Sequence, residues 1–190
     1  MNIRSLVVGL LALIPVAAVA APVTFIPSGT SSPLIGFNTG TLVDGSGLTV
    51  TFTTGSGNFD ATATSLGVDA TGNANEVEPG ESFSITFNQD VFLTQIDFSS
   101  FNNTTDALDL TIGANPTIAA DGTQAGDIFN ISTNNFVAAG QTVQFVGVGT
   151  GNGVGILNFT VETVTAVPEP SSLAVLGALA CGIGVRRRRR

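Results

Sequence analysis

Between Ser5 and Val185 the chain contains neither lysine nor arginine, and it has no histidine, tyrosine or tryptophan anywhere. Each absence closes a class of chemistry. Without histidine, neither a Ser-His-Asp nor a Cys-His catalytic arrangement can be assembled, and zinc sites of the usual His and Cys type are excluded as well. A body with no cation has nothing to set against phosphates, which argues against nucleic acid as a partner. Sugar-processing clefts stack rings on Trp or Tyr, and here only Phe is available. The one cysteine, Cys181, has no internal disulfide partner and sits in an apolar run, where it serves as filler. Helix periodicity is missing too: no segment between Ala21 and Ala166 carries an i, i+3, i+4 apolar stripe.

What charge there is lies in separate places. The 6 basic residues are Arg4 and the block Arg186, Arg187, Arg188, Arg189 and Arg190, whereas all 14 acidic residues fall between Asp44 and Glu169. Such asymmetry marks two ends that carry address information and an acidic body between them. At the N-terminus, Arg4 precedes an apolar run from Leu6 to Val16, and Ala18-Val19-Ala20 follows. Small residues at the first and third places of that triplet satisfy signal peptidase, so residues 1–20 are expected to be a signal peptide cut after Ala20, with Ala21 as the near alternative. The run is shorter than the ~20 apolar residues that span a bilayer.

Toward the other end the chain reads Val167-Pro168-Glu169-Pro170-Ser171-Ser172, then an apolar stretch from Leu173 to Val185, then the arginines. Pro168 and Pro170 lack an N–H and hold the preceding residues extended. A helix therefore starts only after them, with Ser171 or Ser172 as N-cap. Leu173 to Val185 makes about 20 Å of helix at ~1.5 Å per residue. That is short for a hydrocarbon core of ~30 Å, even with snorkelling arginines. Positive residues stay cytoplasmic, which places the body on the far side of the membrane.

The ordered set of Pro-Glu-Pro, apolar segment and terminal arginine cluster resembles the PEP-CTERM sorting signal, element by element, over residues 167–190. The resemblance implies a tail parked in the inner membrane and read by an exosortase-type membrane peptidase near Pro168-Glu169-Pro170. It also implies a surface or extracellular-matrix fate, with extracellular polysaccharide as a neighbour.

The body, residues 21–166, has the size of one domain. Leu48, Val50 and Phe52 alternate with threonines; Phe83, Ile85 and Phe87 with Ser82, Ser84 and Thr86. The same period recurs at Leu108, Leu110 and Ile112, at Val143 and Phe145, and at Leu157, Phe159 and Val161. Alternation of this kind builds strands with one face buried. Turn signals separate them: Asp44-Gly45, Pro79-Gly80, Asn115-Pro116, Asp121-Gly122 and the run Gly147–Gly155. The expectation is a single antiparallel β-sandwich of jelly-roll type. Within it, Glu76 to Phe87 and Val91 to Phe98 read as a consecutive hairpin, and Gly147–Gly155 as a flexible hairpin loop. That glycine run lacks the spacing and the lysine of a phosphate loop.

Carboxylates and hydroxyls remain. Paired carboxylates serve glycoside hydrolysis; Glu76 and Glu78 would share a face if extended, and Asp106 and Asp109 are close in sequence. Calcium suits the inventory better, since it takes carboxylate, carbonyl and amide oxygens. The stretches Asp121–Asp127 and Asn102–Asp109 are the candidate wraps, neither with EF-hand spacing. No catalytic residue, cofactor or metal ligand is assigned from these. The reading is a non-enzymatic exported surface protein; the alternative is a carbohydrate-binding or carbohydrate-processing module displayed by the same tail.

Overall fold

The computed structural model describes residues 20–70, 75–99, 101, 105–121, 127–151 and 153–164. They fall within one compact unit, Val19–Val164. Residues 1–19 of the expected signal peptide, Ala18 included, lie outside the described residues, as does the whole tail from Thr165 with its apolar segment. Among the described residues the secondary structure is all β, and no helix is long and apolar enough to cross a membrane.

Thirteen strands follow one another among the described residues: β1 (Val23–Phe25), β2 (Thr39–Val43), β3 (Thr49–Thr54), β4 (Asn58–Ala61), β5 (Leu66–Asp69), β6 (Ser82–Phe87) and β7 (Val91–Phe98), then β8 (Asp106–Ile112), β9 (Ile118–Asp121), β10 (Ile128–Asn130), β11 (Phe136–Val137), β12 (Thr142–Gly149) and β13 (Ile156–Thr163). They form two antiparallel sheets. One runs β2-β3-β6-β12-β8-β9; the other runs β10-β7-β13-β5-β4, with β1 beside β13 and β11 beside β7.

The alternation explains which face is buried. Val50 and Phe52, Phe83, Ile85 and Phe87, Leu108, Leu110 and Ile112, and Val143 and Phe145 all point inward, as their parity requires. β13 departs from the expected pattern. Ile156, not Leu157, is buried beside Phe159 and Val161, because the register with β7 shifts between Ile156 and Asn158. A bulge adds one residue to a strand and so reverses the parity upstream of it.

Phenylalanine joins the two sheets into a β-sandwich. Phe52 on β3 meets Phe59 on β4 edge-on at 6.0 Å and Phe159 on β13 at 5.9 Å. Phe87 on β6 meets Phe25 on β1 at 6.3 Å and Phe159 at 6.2 Å. Each fully buried ring of this size contributes roughly 1.5–3 kcal/mol of hydrophobic stabilisation.

Pairing is nested. β8 pairs with β9, β7 with β10, β6 with β12, and β5 with β13. Each step from β5 through β8 therefore crosses from one sheet to the other. Two expectations are corrected by this. β6 and β7 are not a hairpin, since they lie in opposite sheets, and neither are β12 and β13. Alternation reports which face of a strand is buried and is silent on its partner.

Candidate functional site

The segment from Asn75 to Glu81 carries the chain from β5 in one sheet to β6 in the other, and it is held by backbone bonds on both sides. Val68 N–H donates to the Glu76 carbonyl at 3.0 Å, and Val77 and Val154 exchange bonds of 2.9 and 3.2 Å. Gly80 N–H donates to the Gly147 carbonyl, and Gly147 N–H to that of Glu81, both at 2.9 Å. Val77 is buried while Glu76 and Glu78 flank it half-buried, in a turn and bridge and not in a strand.

Glu81 is only 1 % exposed. Its parity with Phe83, Ile85 and Phe87 turns it inward, and its carboxylate is held by backbone donors. Oε1 accepts Ala70 N–H at 3.1 Å and Oε2 accepts Glu78 N–H at 2.9 Å. Bonds of this charged kind are about twice as strong as neutral ones. Glu81 thus ties the end of β5 to the Pro79-Gly80 turn.

The two ends of the run Gly147–Gly155 belong to the same corner, and Gly147, Gly153 and Gly155 are buried there. Gly147 and Gly149 close β12, paired with Leu108 and Asp106 of β8. A Cβ on Gly147 would fall on the carbonyl of Glu78, and one on Gly155 would fall on the hydroxyls of Ser65 and Ser99. Alternate glycines are needed because one side of this strand end is pressed against neighbouring chain. The expectation of a flexible hairpin loop is overturned for that reason.

Asp106 opens β8 and is 4 % exposed, sharing the inward parity of Leu108 and Leu110, whereas Asp109 faces outward. The two are on opposite faces of one strand and do not form a carboxylate pair. Asp106 Oδ1 is buried without a hydrogen-bond partner, as are Ser99 Oγ and Asn158 Oδ1. Among the described residues no three His, Cys, Asp or Glu side chains converge as a metal cluster. Residues 102–104 and 122–126, parts of the two candidate calcium wraps, lie outside the described residues.

Of the residues with an expected sorting or processing role, Ala20 is half-buried and Ala21 exposed, just ahead of β1, whose Val23 pairs with Val161. Pro168, Glu169, Pro170 and Arg186 to Arg190 lie outside the described residues. Their sequence is decisive by itself: residues 166–190 match the family model of the PEP-CTERM protein-sorting motif. The chain carries a PEP-CTERM tail. That motif implies an exported protein, a precursor held at the membrane, and processing by an exosortase, itself a membrane protein.

No curated protein matches the chain. Among solved structures, a family two carbohydrate esterase from Cellvibrio japonicus is similar with a TM-score of 0.39 and 14% sequence identity, over 79% of this chain and 36% of that chain. The present chain spans about a third of that enzyme's length, and a likeness so low bears neither on its fold nor on its activity.

Proposed function

We propose that this protein is a non-enzymatic, structural component of the cell surface or extracellular matrix. Its jelly-roll body is exported by the N-terminal signal and delivered by the PEP-CTERM tail. The match at residues 166–190 carries this reading. In it, signal peptidase cuts after Ala20, which leaves β1 from Val23 whole. The segment Leu173 to Val185 then parks the precursor in the inner membrane, with Arg186 to Arg190 on the cytoplasmic side. Pro168 and Pro170 hold Glu169 extended outside the bilayer, where an integral peptidase reads backbone and carboxylate together. The nested strand pairing supports a jelly roll, since it is the arrangement produced when one long antiparallel hairpin is rolled into two sheets.

The test follows the size and location of the protein in a host that carries an exosortase. Wild type is expected to leave the inner membrane in shortened form, whereas Glu169→Ala, or replacement of Arg186 to Arg190 by Ser, stays behind as precursor. Wild type and Glu169→Ala both at full length in the inner membrane would make the tail an ordinary anchor.

A further inference from the structure

Asp106 is a buried carboxylate in a body, residues 5–185, that contains no cationic side chain. It is 4 % exposed, its Oδ1 has no hydrogen-bond partner, and no Lys, Arg or His occurs between Arg4 and Arg186. An isolated ionised carboxylate is very costly to take out of water. Glu81, equally buried, shows how this protein otherwise solves the problem, with Ala70 and Glu78 N–H groups on its two oxygens. Asp106 Oδ1 has no such donor.

Its surroundings are rich in oxygen and small. The adjacent Thr105 carbonyl accepts the N–H groups of Thr150 at 3.1 Å and Gly151 at 3.2 Å, which brings the end of β12 over the start of β8. Gly151 lies directly against the carboxylate: a Cβ there would collide with Asp106 Oδ1 and stand 3.0 Å from Thr105 Oγ1. Carboxylate and hydroxyl therefore both lie against residue 151, where the absence of a side chain leaves the carboxylate oxygen its place.

We propose that Asp106, with the Thr105 hydroxyl beside it, anchors a calcium-class divalent cation where β8 begins and β12 ends. A hard cation of this class accepts carboxylate, hydroxyl, carbonyl and water oxygens in a flexible shell. With one carboxylate the site is weak, in the range of extracellular modules, roughly 10⁻⁴–10⁻³ M. Binding neutralises the buried charge and pins the strand end from which the glycine run departs. The outward Asp109 has no part in it.

The test is thermal unfolding of the purified protein, followed by far-UV circular dichroism, in EDTA and in calcium from about 0.1 to about 10 mM. Wild type is expected to gain about 3–6 °C, saturably, a ligand-linkage shift for a domain of this size. Asp109→Asn should gain as much. Asp106→Asn should gain nothing, and Gly151→Ala, whose methyl displaces the carboxylate, should lose most of the response. If the two site variants do not fold, calorimetric titration of wild type with calcium decides, and absence of saturable heat up to about 10 mM overturns the proposal. An equal shift in Asp106→Asn, or an equal shift with sodium at matched ionic strength, overturns it too. So does a melting point that ignores calcium and rises on mild acidification in wild type alone, since a proton would then be doing the neutralising.

Discussion

Phe83 and Phe145 stand opposite each other on β6 and β12, with ring centroids 4.5 Å apart and planes within 3° of parallel. Phe83 in turn meets Phe59 of the other sheet edge-on at 5.9 Å, so the pair links in-sheet pairing to the contact between sheets. Both rings are at most 3 % exposed. Phe145→Ala is expected to lower stability by about 3–5 kcal/mol, and Phe145→Leu by distinctly less, because it leaves a smaller void. Urea unfolding midpoints compare the two; equal loss would show that ring volume is not what holds this contact.

Glu81 should behave as a brace. Glu81→Ala strips the Ala70 and Glu78 N–H groups of their carboxylate acceptor, at about 1–3 kcal/mol for each donor that stays dry. Glu81→Gln keeps one oxygen and loses less. Amide hydrogen exchange at Ala70 and Glu78 is expected to accelerate in Glu81→Ala, ahead of the core strands.

Two glycine substitutions should separate packing from turn flexibility. At Gly147 an added methyl meets the backbone carbonyl of Glu78, which cannot rotate away, so Gly147→Ala is expected to cost about 1–3 kcal/mol. At Gly45 there is open space, and Gly45→Ala should leave stability unchanged or raise it by up to about 1 kcal/mol. Chemical denaturation of the two variants side by side provides the comparison.

Asp44 predicts a pH dependence. Its carboxyl lies below the usual aspartate value, chiefly because Ser46 Oγ donates to it, at 2.8 and 2.7 Å to the two oxygens. The N–H groups of Leu48 and Ser46 add to this at 2.7 and 3.0 Å, against an opposing desolvation effect. A carboxyl lowered in the folded state stabilises fully above its unfolded value, about 3.9, and ceases to do so as pH falls through the lower folded value. The difference in melting temperature between wild type and Asp44→Asn should therefore be constant above about pH 5 and shrink below about pH 4. A difference that grows on acidification would contradict the assignment.

Face and parity are legible in the residues, and partners are not. The runs around Phe52, Ile85, Leu110 and Phe145 state which side is buried, and the rule extends to charged positions: Glu81 and Asp106 share the inward parity of the strands they lead into. Proximity in sequence suggests a pair of Asp106 with Asp109, yet an odd spacing on one strand already sets them on opposite faces. Leu157 misleads because a bulge leaves no mark in one-residue alternation. The glycine run looks loose because what crowds it, Glu78 and Ser65, is far away in sequence and arrives only through the crossing of sheets. The tail's sorting motif is readable because its signal is linear: Pro-Glu-Pro, an apolar length and a charge block in fixed order.

β13 is the last of the described strands, yet it is interior to its sheet, with β7 along one side and β1 and β5 along the other. Ordinarily a late strand can be added at an edge. Here Val161 must reach Val23, and Ile156 must reach Leu66, before either neighbour has a partner on that side. A chain that emerges from a pore N-terminus first therefore waits, half-assembled, until the residues just ahead of the PEP-CTERM motif have come through. Closure of the body and arrival of the address label become a single event, and a chain broken off before β13 exposes unpaired strands in place of a finished surface.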